Sequence, residues 1–154
     1  SYAKEGGSIT ILNPAPAQPL GENILKLCDF VTPNEIEAEQ ITGIPVKSVS
    51  NAEVAADKLL EKGASAAVIT LGEQGALFKD SKQIIHQPSF QVGPIVETTG
   101  AGDAFNGGLA VALAEEMPID KALRFACATA SISVTRPGTA PSMPDRNEIN
   151  TLLT

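Results

Sequence analysis

Hydrophobic positions along the 154-residue chain alternate between short β-branched runs and longer stretches with helical spacing. SITIL (8–12) reads as a strand, followed by a Pro-rich turn, NPAPAQP (13–19). ENILKLC (22–28) has the spacing of a short helix and DFVT (29–32) that of a strand. After Pro33, NEIEAEQIT (34–42) predicts a helix that stops at Gly43. Ser50 is the expected N-cap of the next helix, with Glu53 completing a capping box, and that helix runs through Lys62 to Gly63. AAVITL (66–71) is a continuous apolar run, the pattern of a strand buried on both faces. ALFKD and QIIHQP (76–88), with a polar turn between them, read as a hairpin. Helices follow over roughly 103–116 and 118–135, then a Pro/Gly loop and a last short helix from about 145. This order predicts an α/β fold with a mainly parallel sheet, without repeats or low-complexity segments.

The third of these transitions carries chemistry. ETTGAGD (97–103) leads into DAFNGGLAVALAEE, where Phe105, Leu109, Ala112 and Leu113 share one helical face. A glycine loop therefore meets a helix N-terminus, where the N–H groups of Ala101, Gly102 and Asp103 and the positive end of the dipole would receive an anion. Two common phosphate motifs are absent: there is no GxxxxGK[ST], and GxGxxG fails because Phe105 takes the third glycine's place. The simplest role for Asp103 is an ordinary N-cap. That role leaves Gly107 and Gly108 unexplained, since each costs roughly 1 kcal/mol inside a helix relative to Ala. Close approach of another group to that backbone would explain them. An acid beside an anion hole suits phosphoryl transfer, with the N–H groups holding developing charge and the carboxylate taking the proton of the attacking hydroxyl. The dipole favours the ionised form of Asp103.

Composition narrows the partners. A net charge of -7, with Lys and Arg scattered, argues against nucleic acid or an anionic membrane. A hydrophobic content of 43% is enough for one domain with a core. Two cysteines, Cys28 and Cys127, make no disulfide framework, and no apolar stretch approaches membrane-spanning length, so a cytoplasmic protein is expected. His86 is the only histidine, which excludes a histidine metal cluster or a Ser-His-Asp triad within this chain and leaves it as a solvated residue of the hairpin.

TTGAGDAFNGG (98–108) resembles the C-terminal signature of the ribokinase-like carbohydrate kinases. The resemblance extends through NPAPA (13–17), TPNEIEAEQITG (32–43), VITLGEQG (68–75) and VTRPGTAPSMP (134–144). It implies the C-terminal, nucleotide-binding and catalytic half of a single ribokinase-like domain, a three-layer sandwich with a mainly parallel sheet. NPAPA with TRPGTAPS favours the branch that uses ATP to phosphorylate the 5-hydroxyl of D-ribose over the fructose and adenosine kinases. Under this resemblance Asp103 is the catalytic base, and also touches the substrate, while Gly100, Ala101 and Gly102 form the anion hole. Asn34 and Glu37 match an N-x-x-E motif that positions phosphate and Mg²⁺, largely through water; read from the residues alone, they are equally a polar helix start. Thr70, Leu71, Gly72, Glu73, Gln74 and Gly75 match nucleotide contacts, at the strand end where an open α/β sheet places ligands. Cys127 matches a position lining the adenine pocket, although by itself it reads as a small buried residue.

The family also has a monovalent cation, usually K⁺. Glu97 stands where the family has Asp, and Thr99, Ser133, Arg136, Gly138 and Ser142 match the remaining positions, several through backbone oxygen. The added methylene of Glu97 makes K⁺ dependence a weaker expectation than catalysis; the bland reading of Glu97 is a solvated strand end. The family's sugar-selecting motifs belong to its other half, so the isolated chain is expected to be inactive. It would associate with that half, with a second chain or with itself as a homo-oligomer. Alternatives are a kinase for another sugar or nucleoside, or a non-catalytic nucleotide-binding module left by truncation. Intact Asp103, Asn34 and Glu37 argue against the last.

Overall fold

The computed structural model describes residues 2–16, 18, 20 and 23–154. The chain forms two compact units, the first ending at His86 and the second running from Gln87 to Thr154. Among the described residues no helix is long and apolar enough to cross a membrane.

The sheet has five strands in chain order: β1 (Ile11–Leu12), β2 (Phe30–Val31), β3 (Ala66–Thr70), β4 (Ala76–Asp80) and β5 (Ile84–Gln87). β1, β2 and β3 are parallel and β4 runs antiparallel to β3, so the sheet is mixed, as an α/β chain with one terminal hairpin requires. β3 is the most deeply buried strand: Ala66, Ala67, Val68 and Ile69 are all in the core. The strand ends at Thr70, one residue short of the apolar run, and the side chain of Leu71 turns into the core of the first unit.

Before β1 a helical turn, α1 (Tyr2–Glu5), lies at the surface. Only the last two residues of SITIL are strand, because among the described residues β1 has a single neighbour, β2, and a two-residue register with it. ENILKLC forms no more than a 3₁₀ turn at Leu25–Leu27, and Glu22 lies outside the described residues. The turn closes early because Asp29 is drawn into extended pairing with Thr10, whose N–H (2.8 Å) and hydroxyl (2.7 Å) donate to its carboxylate. The expected Pro-rich turn falls partly on Ala17 and Pro19, also outside the described residues.

α2 (Glu35–Thr42) ends at Gly43 as expected. α3 (Val49–Glu61) starts earlier than its sequence suggests: Ser48, not Ser50, is the N-cap, and its hydroxyl accepts the N–H of Asn51 (3.2 Å). Ser48 has the extended backbone a cap needs, so Ser50 falls within the first turn and the box with Glu53 does not form. Ala52, Ala55, Ala56 and Leu59 bury the inner face of α3. Lys79 of β4 binds Asp57 (2.7 Å) and Glu53 (3.3 Å) along its outer edge.

The second unit packs α4 (Ala101–Ala114) against α5 (Ile119–Ser133), with α6 (Arg146–Leu153) on α5. Gly108 lets the first two helices meet. A methyl placed there would stand 2.7 Å from Thr129 Oγ1 and 3.1 Å from Ala126 Cα. The expectation that a close approach explains the glycine pair therefore holds for Gly108, and the approaching group is α5. Gly107 faces open space, with nothing within 4 Å of a methyl placed there.

Candidate active site

The residues singled out in the sequence fall into two clusters. One lies in the first unit, at the carboxyl ends of β2 and β3. Asn34 and Thr70 form an isolated parallel bridge there, and the Thr70 N–H donates to Pro33 O (3.0 Å). Asn34 is the N-cap of α2: its side chain accepts the Glu37 N–H (2.9 Å), and Glu37 Oε2 accepts the Asn34 N–H (2.9 Å). This capping box fixes both side chains and accounts for them as a polar helix start. Glu37 is nonetheless buried, with one carboxylate oxygen beyond the box. That is a suitable donor for a cation that keeps most of its water and needs only one or two carboxylates.

The 71–75 segment that follows closes on itself, Leu71 N–H to Gly75 O (2.8 Å) and Gly75 N–H to Gly72 O (3.0 Å). Gly72, Glu73 and Gln74 are exposed. Leu71 is buried, so only its backbone can serve a ligand. His86 is exposed yet fastened, its Nε2 lying 2.7 Å from Gln74 O. An open cavity of about 370 Å³ lies beside this segment, lined by Glu35, Ile36, Val46, Lys47, Ser48, Leu71 and Gln74.

The other cluster lies in the second unit, around the start of α4. Gly100 is its N-cap, with φ 82°, a conformation that costs glycine nothing. Asp103 is therefore not the cap but a first-turn residue; it is exposed, and among the described residues no donor engages its carboxylate. The expected set of free N–H groups is reduced by one, because Ala101 N–H donates to Thr98 O (3.1 Å). The tight turn entering the helix consumes it. The first α-helical bond is Ala104 N–H to Gly100 O (2.9 Å), which leaves the N–H groups of Gly102 and Asp103 without intrahelical acceptors. A methyl on Gly102 would meet nothing within 4 Å, so the space before them is open.

The loop after α5 is drawn toward this turn. Glu97 is half-buried and outside any strand. Its Oε2 accepts the Gly138 N–H (2.7 Å). That bond, with a second from the Thr99 hydroxyl, holds the Glu97 carboxyl below the usual carboxylate range. The backbone of Val96 and Glu97 donates to Val134 O (2.8 and 3.2 Å). Thr139 would lie 3.4 Å from a methyl on Gly100. Ser133 O accepts the Arg136 N–H (3.3 Å), and the buried Ser142 donates its hydroxyl to Thr139 O (2.7 Å). Glu97, Thr99 and Gly138 are thus joined directly, with Ser133 at the end of α5 and Arg136 and Ser142 on the loop that follows. Such a set is rich in carbonyl oxygen, which suits a hard cation. Among the described residues no three His, Cys, Asp or Glu side chains group to hold a metal, so any ion here would rely on backbone oxygen. Cys127 is buried in α5, and burial pushes its thiol up to about 12.

Two contacts escape the sequence reading. Thr139 against Gly100 has no local signal. Glu148, which binds the Arg136 guanidinium, has one: Asp145 and Glu148 form a capping box with the same spacing as Asn34 and Glu37.

Residues 1–146 match the model of the pfkB family of carbohydrate kinases. The chain belongs to that family. It is 45% identical over 148 residues to a ribokinase of Haemophilus influenzae, covering 95% of this chain and 47% of that protein. It is 39% identical over 153 residues to a deoxyribokinase of Salmonella typhi, covering 99% and 50%. Among solved structures, Arabidopsis thaliana ribokinase complexed with ribose and ATP superposes with a TM-score of 0.93 at 34% identity, covering 97% of this chain and 49% of that one. An Escherichia coli protein assigned as a ribokinase II, solved with ATP and Mg²⁺, gives 0.80 at 25% identity, covering 97% and 50%. The chain spans about half the length of the curated relatives it matches. The ribokinase fold expected from the signature is thus confirmed.

Proposed function

We propose that this chain supplies the ATP site, anion hole and catalytic base of a kinase acting on D-ribose at its 5-hydroxyl. The observation that carries the reading is the start of α4: an exposed, unengaged carboxylate beside two N–H groups that no helical acceptor takes. Asp103 removes the proton of the acceptor hydroxyl, and the Gly102 and Asp103 N–H groups, with the helix dipole, receive the charge that develops on the transferred phosphoryl group. Thr70, the exposed residues Gly72, Glu73 and Gln74, and Gly75 behind them hold the nucleotide, with Asn34 beside them. The residue at 127 borders the base.

Glu37, with its one uncommitted oxygen, would hold Mg²⁺ through water, and the ion when bound would offset phosphate charge. The carbonyls around Thr99, Ser133, Arg136, Gly138 and Ser142 would take K⁺, with the Glu97 carboxylate close by. The deoxyribokinase relative favours a second reading, in which the acceptor is the 2-deoxy sugar.

The test is Asp103→Asn in the kinase containing this chain. The amide cannot take the hydroxyl proton, while the anion hole is backbone, so kcat should fall by orders of magnitude with ATP affinity little changed. Near-normal turnover would remove Asp103 from the mechanism. Parallel assays with ribose and 2-deoxyribose decide between the two acceptors.

A further inference from the structure

Arg136 and Glu148 form one end of a chain of contacts in the second unit that runs through Gly138 and Thr139 to Glu97 and Gly100. Glu148 sits in the first turn of α6, where its Oε2 accepts the Asp145 N–H (2.9 Å) and its own N–H donates to Asp145 Oδ1 (2.9 Å). The same carboxylate takes both arms of the Arg136 guanidinium, Nη1 at 3.3 Å on Oε2 and Nη2 on Oε1. An isolated surface ion pair adds little to stability, but a two-armed Arg–carboxylate fork within a network is the exception. This one is anchored at both ends. On the helix side the capping box fixes the Glu148 rotamer. On the loop side Arg136 is fastened through its N–H to Ser133 O (3.3 Å), at the end of α5.

Two residues beyond Arg136, Gly138 holds the Glu97 carboxylate (2.7 Å), and Thr139 packs on Gly100, the N-cap of α4. The short segment 136–139 therefore has α6 on one side and the start of α4 on the other. The loop carries no regular structure of its own until the 3₁₀ turn at Ala140–Ser142; backbone bonds tie it at Arg136 and Thr139, and the side chains of Glu148 and Glu97 add the bonds that reach α6 and the residues before α4.

We propose that Glu148 is a positioning residue for the start of α4: it clamps Arg136, and through segment 136–139 holds Glu97 and Thr139 against the turn that presents the Gly102 and Asp103 N–H groups. Phosphoryl transfer depends on placing such donors to within a fraction of an ångström, so a loose loop should show in turnover more than in nucleotide binding. The functional consequence rests on the kinase reading above; the clamp itself does not.

Glu148→Gln is the informative variant. An amide oxygen can still accept the Asp145 N–H and keep the cap, while the charged fork to Arg136 is lost. In the kinase containing this chain, hydrogen exchange at the Gly138 amide should quicken about tenfold or more, with exchange in the buried middle of α5 unchanged. kcat should fall about three- to tenfold, and KM for ATP should stay within about twofold. Glu148→Ala, which loses cap and fork together, should show the same faster Gly138 exchange with faster exchange in α6 as well. Unchanged Gly138 exchange in Glu148→Gln would overturn the clamp. Faster exchange with unchanged kcat in an active kinase would overturn its role in positioning. Faster exchange in a protein with no kinase activity against any sugar would instead fault the kinase reading and leave the clamp standing.

Discussion

Glu97 holds its carboxylate between the Gly138 N–H and the Thr99 hydroxyl, and both donors favour the ionised form. A carboxyl whose pKa falls on folding stabilises the folded loop above its unfolded-state value, and that contribution disappears as pH drops through the lower, folded value. The Gly138 amide resonance should therefore be steady near neutral pH and shift in one step below the ordinary range for glutamate. Glu97→Gln should abolish the step. A wild-type transition at or above the ordinary glutamate range would contradict the bond arrangement. From the sequence, Glu97 was visible only as a departure from a family pattern, because its partner lies 41 residues away. Asp103 was legible as an acid at a helix start. Its place in the first turn rather than at the cap depends on the backbone of Gly100, which spacing alone does not reveal.

At the scale of elements, the glycine pair of α4 separates packing from accessibility. Gly108→Ala would drive a methyl to 2.7 Å from Thr129 Oγ1 and close to the Ala126 backbone, which a helix pair cannot absorb without moving apart. The expected loss is about 1–3 kcal/mol, against a helix-propensity gain of about 1 kcal/mol. Gly107→Ala meets nothing within 4 Å in this chain and should stabilise it by up to about 1 kcal/mol. Urea denaturation of the two variants checks both signs. Equal effects would mean that α4 and α5 do not pack as described. The sequence showed two costly glycines; only the helix pairing distinguished them. The start of α3 is a similar case. Ser48 and Ser50 are both plausible caps by residue type, and Ser48 is chosen by an extended backbone set as the chain leaves the segment after α2.

For the whole molecule, the unbalanced surface of α4 matters most. Gly107, Ala110, Val111 and Ala114 share the face of Asp103, all exposed, and Asp103 is the sole charged residue between Ala101 and Ala114. A helix apolar on most sides is normally covered. Among the described residues β1 is likewise a sheet edge with β2 as its one neighbour, and an edge strand can pair with a further strand. Relatives of twice the length have another half of chain to place against such surfaces. The isolated chain should therefore self-associate, or bind a separately made other half, and should not release ADP in response to ribose unaided. The mass of the purified chain in solution and its ribose-dependent ADP release, with and without that half, are the measurements. A monomer that turns over ribose alone would refute the expectation.

The amino-acid sequence by itself determined the order of strands and helices from β1 to α6, apart from the helix expected at 22–28 that closes as a 3₁₀ turn, because hydrophobic period is a local property. It also determined the position of the glycine–acid turn, because an acid among glycines before an apolar helix has few other uses, and it carried the family motifs. Tertiary structure alone decided which N–H groups at that turn stay free, with Ala101 spent on Thr98 and Gly102 and Asp103 left open. It decided that Gly108 serves α5, that Glu97 is bonded rather than solvated, and that Arg136 is clamped by α6. Each of these depends on contacts between residues far apart in the chain, or on one backbone angle. A linear pattern of polar and apolar residues records neither.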